Sequence, residues 1–128
     1  MTGVEVSRSR SRRGGVLRDR FYKVIRMGGT TKSPNSGLTV AWSPAKKKVW
    51  IDMSDAKMPA NDQAHQYQLW ALVGKTPVSL GVFDADTTSK DMKQMQSIAS
   101  ADAFAVTLEK RGGSVAPTMD QMVVIGKF

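Results

Sequence analysis

The chain is predicted to be an all-β domain, an antiparallel β-sandwich of about seven short strands with one short helical insertion. Three observations predict it. Short runs of alternating apolar and polar residues recur along the chain, each bounded by Gly, Pro, Asn or Ser turn signals. Tyr67-Gln68-Leu69-Trp70-Ala71-Leu72-Val73 and Pro77-Val78-Ser79-Leu80-Gly81-Val82-Phe83 flank Gly74-Lys75-Thr76, which is how a β-hairpin is written. Only Ser89 to Ile98 departs from a period of two, with Met92, Met95 and Ile98 recurring every three residues as in a helical turn. The same pattern is compatible with closure of the sheet into a barrel.

Residues 1–20 read as a basic Ser/Arg-rich disordered tail, because Ser7-Arg8-Ser9-Arg10-Ser11-Arg12-Arg13-Gly14-Gly15 offers too little apolar surface to offset the entropy of ordering it. Order is expected to begin near Phe21, giving one domain over residues 21–128. The formal net charge of +8 sits mostly at the front. Residues 1–30 hold eight Lys or Arg against Glu5 and Asp19, 8 − 2 = +6, and the remaining 98 hold eleven against nine acids, 11 − 9 = +2. Composition therefore assigns no basic face to the folded body. The tail could grip nucleic acid through phosphate contacts, and this is the alternative functional reading.

Tyr22 to Met27 is expected to form a first strand, at a sheet edge, that ends at Gly28-Gly29. A turn-rich loop from Thr30 to Gly37 follows. Leu38-Thr39-Val40-Ala41-Trp42 places Leu38, Val40 and Trp42 on one face, and Lys48 to Met53 places Val49, Ile51 and Met53 inward. Ser43-Pro44-Ala45-Lys46-Lys47 between them is a tight connector, so the two strands pair antiparallel. In the central hairpin, Tyr67, Leu69, Ala71 and Val73 point one way while Trp70 and Leu72 point the other, so the first strand is apolar on both faces. The second strand alternates Val78, Leu80 and Val82 against Ser79, Gly81 and Phe83, with Gly81 marking a bulge or a close backbone approach. Thr88 or Ser89 would cap the helical insertion. Ala103 to Glu109 is a strand with Phe104, Val106 and Leu108 on its apolar face, and Met122 to Lys127 is a short buried strand.

Several chemistries are disfavoured. With no cysteine there are no disulfides, thiolate metal sites or cysteine nucleophiles. One histidine, His65, argues against the usual zinc or copper site and reads as a polar residue at the entrance to the central strand. Asp84-Ala85-Asp86 lacks the glycine and distal glutamate of an EF-hand. Gly112-Gly113-Ser114 lacks the Gly-Lys-Ser/Thr ending and the following helix of a phosphate cradle. The acids Asp52, Asp55, Asp84, Asp86 and Glu109 are scattered with no local nucleophile and base pair, so the chain reads as non-catalytic and without a cofactor. No run reaches the roughly 20 apolar residues of a membrane span.

Four ordered blocks carry a family resemblance: His65 to Trp70, Pro77 to Phe83, Ala103 to Glu109, and Gly112-Gly113-Ser114 through Pro117-Thr118. Together they resemble the C-terminal domain of anti-sigma-K factors, from about Tyr22 onward. The matching positions are Tyr67, Gln68, Leu69, Trp70, Gly81, Thr107, Glu109, Gly112, Gly113, Ser114, Pro117 and Thr118. Most are expected to be structural, with Gln68, Glu109, Ser114 and Thr118 as a possible partner surface. The resemblance implies a regulatory domain on the extracytoplasmic face of the bacterial cell membrane, in the periplasm or at the cell surface. Its implied partners are proteins: the rest of an anti-sigma factor and a regulatory protease. Sigma-factor contact would fall to helices that these 128 residues lack. Trp70 is expected to be more buried than Trp42 or Trp50.

Overall fold

In the computed structural model, which describes residues 14–85 and 91–128, the chain is all-β and antiparallel. Its strands are β1 (Lys23–Gly29), β2 (Gly37–Ser43), β3 (Lys48–Lys57), β4 (His65–Val73), β5 (Thr76–Phe83), β6 (Met92–Met95), β7 (Ala103–Lys110) and β8 (Met122–Lys127). A 3₁₀ turn, Met119–Gln121, precedes β8. All eight strands belong to one sheet of order β5-β4-β7-β8-β1-β2-β3-β6. The sheet curls until its two ends approach: the amide N–H of Gln96, just past β6, donates to the carbonyl of Leu80 in β5 at 2.9 Å. The result is a barrel-like sandwich with a seam between β5 and β6, and curling of this kind covers edges that would otherwise be open to pairing.

The interior follows from alternation. Leu38, Val40 and Trp42 of β2, Val49, Ile51 and Met53 of β3, Tyr67, Leu69 and Ala71 of β4, and Phe104 and Val106 of β7 form one buried cluster. Each set has the spacing of two that puts side chains on one face of a strand. Tyr67 and Phe83 stack at 5.8 Å, and the Trp42 and Phe104 rings meet edge to face at 5.8 Å. Both geometries favour aromatic quadrupoles.

The central hairpin turns at Gly74-Lys75, with Gly74 at φ 63° and Val73 paired to Thr76. In β5 the simple alternation fails. The register shifts so that Leu69 pairs with Gly81 and Trp70 with Ser79, leaving Leu80 as the extra residue of a β-bulge. Leu80 and Phe83, expected on opposite faces, both enter the core as a consequence. Gly81 carries the bulge at φ 113°, and its missing Cβ leaves 3.4 Å to the methyl of Met95 across the seam.

The helical insertion expected between Ser89 and Ile98 is corrected for its central residues. Met92–Met95 is strand β6, paired to β3 from Asp52↔Met92 to Val49↔Met95. The spacing of three looked helical because both methionines are buried, yet in a strand an odd spacing sends them to opposite faces. Met95 joins the interior, and Met92 joins a second cluster on the outside of the sheet with Val16, Ala41 and Trp50. The expected caps Thr88 and Ser89, and Asp86, lie outside the described residues.

Residues 14–18 form a helical turn whose Val16 is buried in that outer cluster, so ordered chain starts before Phe21. Asp19 fixes it by accepting from the Phe21 amide at 2.8 Å and pairing with Lys46. Trp50 Nε1–H donates to the Tyr22 hydroxyl at 3.1 Å. The Ser/Arg segment through Arg13 lies outside the described residues.

Candidate functional site

The outer face of β4 and β7 carries the residues that alternation exposes: Gln68, Trp70, Thr107 and Glu109. All four are buried, Trp70 to 1% and Glu109 to 3% exposure. The chain between β7 and β8 turns back over them. That loop leaves β7 at Lys110, passes Gly112 and Gly113 at φ 93° and 92°, and returns at Pro117-Thr118. Two consecutive residues with positive φ fold the chain back sharply, which is a glycine conformation.

Beneath the loop runs a continuous hydrogen-bond network. Trp70 Nε1–H donates to Thr107 Oγ1 at 2.9 Å, and the Thr107 hydroxyl donates to Glu109 Oε2 at 2.6 Å. Glu109 then accepts three donors from the loop: Thr118 N–H at 2.7 Å, Thr118 Oγ1–H at 2.8 Å and Ser114 Oγ–H at 2.8 Å. Gln68 pairs with Ser114 through both ends of its amide, accepting from Ser114 N–H at 2.8 Å and donating to its carbonyl at 3.1 Å. It also donates to Ser79 Oγ of β5 at 2.7 Å. The Trp70 and Thr107 groups are satisfied within the face, and the loop supplies partners to the Gln68 amide and the Glu109 carboxylate, which is what makes burial of a carboxylate tolerable.

Burial pushes the Glu109 carboxyl toward the neutral form, but hydrogen bonds from Thr107, from the amide and hydroxyl of Thr118, and from Ser114 outweigh it. The net direction is downward, so Glu109 is a held anion rather than a proton donor. The glycine pair is no phosphate cradle. Gly112 N–H donates to Gln66 Oε1 at 3.0 Å, Gly113 N–H to the Lys110 carbonyl at 2.8 Å, and Ser114 N–H to Gln68, so these amides are already engaged.

Close approach explains the second glycine. A Cβ on Gly113 would lie 2.9 Å from Gln68 Oε1 and 3.0 Å from Val82 Cγ1, whereas one on Gly112 meets nothing within 4 Å. Gly113→Ala is therefore expected to cost about 2–3 kcal/mol, combining a strained φ with a displaced Gln68 amide. Gly112→Ala bears the strain alone, about 1–2 kcal/mol. Urea midpoints of the two variants check the order; equal values would remove the role given to the Gln68 contact.

The other expected positions fall around this network. Tyr67 and Leu69 face the interior, and the Tyr67 hydroxyl donates to the Pro59 carbonyl at 2.7 Å. Ser114 is half-buried and Thr118 exposed, so of the possible partner surface only the loop members reach solvent; the Gln68 and Glu109 side chains are engaged beneath it. Beside the network, Trp70, Leu72, Pro77, Ala105, Pro117 and Met122 line an apolar hollow open to the outside. Trp70, at 1% exposure, is more buried than Trp42 at 3% or Trp50 at 9%, as expected.

Sequence reasoning missed a polar cluster at the end of the barrel where β4 begins. Asp84 accepts from Asn61 at 2.7 Å, Arg111 at 3.1 Å and Gln66 at 3.2 Å, and Arg111 also donates to the carbonyls of Asp62 and His65. His65 pairs with Asp62 at 2.7 Å. Arg111 reaches the Asp62 carbonyl from 49 positions away, so no local spacing announced the cluster. Among the described residues no group of three or more His, Asp or Glu side chains is placed to hold a metal ion. No helix among them is long and apolar enough to cross a membrane.

A family model for the C-terminal domain of the anti-sigma-K factor RskA matches residues 7–122. No curated protein and no solved structure gives a match. The matched span takes in the hairpin, both outer-face strands, the glycine loop and the start of β8. The family is regulatory, of the anti-sigma-factor kind, and implies protein partners. With the match covering most of its length, the chain belongs to the anti-sigma-K factor RskA C-terminal domain family.

Proposed function

We propose that this domain is the extracytoplasmic regulatory module of a membrane-anchored, anti-sigma-factor-like protein, acting without catalysis through contacts with the rest of that protein and with a regulatory protease. The observation that carries the reading is the family match over residues 7–122. The outer-face network supports it from the chemical side. Its one buried carboxylate of lowered pKa, Glu109, is spent on four internal donors, whereas a general acid or base needs a poised proton. Sigma-factor contact belongs to a segment other than the β domain. The domain sits in the periplasm or at the cell surface, where its folded state governs protease access.

The test is made in the bacterium that encodes the chain, by removing residues 22–128 from the reading frame and measuring transcription from promoters of extracytoplasmic-function sigma factors. A severalfold change is expected at one set of them. A protease added from outside to permeabilised-envelope but otherwise intact cells should digest the tagged domain. Unchanged transcription would remove the regulatory reading, and protection from the added protease would remove the location.

A further inference from the structure

The pairing register gathers charge at one end of the barrel that composition does not reveal. The β2–β3 connection, the β4–β5 turn, the start of β1 and the end of β8 all lie at that end, as Lys23↔Trp42, Ser43↔Lys48, Val73↔Thr76 and Ala103↔Lys127 show. Lys23, Lys46, Lys47, Lys48, Lys75 and Lys127 therefore lie at one rim, and all six are exposed. Two acids share it. Asp19 is taken by Lys46, and Asp102 accepts from the Gly74 amide at 2.7 Å. The opposite end is mixed, with Asp55, Asp62, Asp84, Asp91 and Asp120 among its lysines and arginines.

Exposed apolar side chains are interleaved with this rim. Phe21 is 51% exposed, Phe128 48% and Val24 47%, and Phe128 is anchored on the Trp42 ring at 5.1 Å. Lysine stems beside exposed rings suit a boundary between anionic headgroups and acyl chains, where the ammonium stays among phosphates and the apolar parts sink inward. A single-stranded nucleic acid would share the lysines but needs open ring faces for base stacking. Here the exposed Phe21 ring carries the chain's own Arg20 and Lys46 at 5.2 and 5.8 Å, and the Phe128 ring packs against Trp42 and Phe104 at 5.1 and 5.3 Å.

We propose that this basic, phenylalanine-studded rim docks the barrel on an anionic phospholipid bilayer. The proposal goes beyond the regulatory reading and does not need it, since it stands on the charge and the exposed apolar side chains at one end of the barrel. The test is co-sedimentation of the full chain with vesicles of phosphatidylglycerol and phosphatidylcholine, against vesicles of phosphatidylcholine only. Three variants are compared: the native chain, the rim triple Lys47→Glu, Lys75→Glu and Lys127→Glu, and a triple of equal charge at the other end, Lys32→Glu, Lys57→Glu and Lys110→Glu. All six side chains are exposed, and thermal melts confirm that both triples fold.

The native chain is expected to bind the anionic vesicles and not the neutral ones. The rim triple should lower that partition at least tenfold more than the opposite-end triple, given the attraction each basic side chain feels near an anionic surface. Equal losses from the two triples would overturn the proposal, because binding would then follow net charge or the Arg8 to Arg13 segment. So would the absence of anionic-vesicle binding, with or without rim-dependent binding to a single-stranded oligonucleotide.

Discussion

Glu109→Ala is expected to lower the unfolding free energy by about 3 kcal/mol, because it strands Thr107 Oγ1–H, Ser114 Oγ–H and both donors of Thr118. The loop reaches solvent at Thr118, so water replaces part of what is lost there, and the figure stays below a sum over four charged hydrogen bonds. Glu109→Gln keeps the shape, removes the charge and turns one acceptor into a donor facing donors; about 2 kcal/mol is expected. Urea unfolding at neutral pH measures both. A loss under 1 kcal/mol for the alanine variant would mean that the loop is held by something other than the carboxylate.

The same residue sets a pH signature. Its folded-state pKa lies below the unfolded value, so its contribution is present above the ordinary glutamate range, about 4.3, and is lost as pH falls through the lower folded value. Stability of the native chain should therefore fall below about pH 4. Glu109→Ala should flatten part of that slope while leaving the part that comes from Asp84, whose pKa is lowered by Asn61, Gln66 and Arg111. An unchanged slope would contradict the held anion.

Trp70→Ala should cost about 3–5 kcal/mol, the range for emptying a buried aromatic site. Trp70→Phe should cost only about 1–2 kcal/mol, since most of the buried surface survives and the main loss is the hydrogen bond to Thr107. The two variants separate packing from hydrogen bonding. The alanine variant should also be cut faster between Lys110 and Gln121 in limited proteolysis, because Trp70 shares its hollow with Pro117 and Met119 of that loop. If Trp70→Phe were as damaging as Trp70→Ala, the network rather than the bulk of the ring would be what secures the loop.

These outcomes bear on regulation through one physical idea. A regulatory domain of this family would, under the proposed function, gain a sensitive element where a single loop covers a buried polar face, since the loop can open locally at less cost than global unfolding. Under the proposed function, the Glu109 and Trp70 variants would alter sigma-dependent transcription in the direction that removal of residues 22–128 does. Their effect would come through the loop's stability and not through loss of a reacting group.

The amino-acid sequence by itself determined the antiparallel all-β class, the inner faces of β2, β3, β4 and β7, the hairpin at Gly74-Lys75, an irregularity at Gly81, read as a bulge or a close backbone approach, and the family. Each is written in local spacing or in ordered blocks, and a period of two fixes which residues share a face whatever happens elsewhere. The tertiary structure decided which faces are covered. Alternation says that Gln68, Trp70, Thr107 and Glu109 point together; only the return of residues 110–121 over them, with Ser114 bonding Gln68 from 46 positions away in sequence, makes that face an interior. Met92 and Met95 imitated a helix because each is buried by a different cluster, which a one-dimensional pattern cannot separate. The basic rim was invisible for the same reason: lysines from four separate segments share one rim only when register brings two turns, the start of β1 and the end of β8 to one end of the barrel.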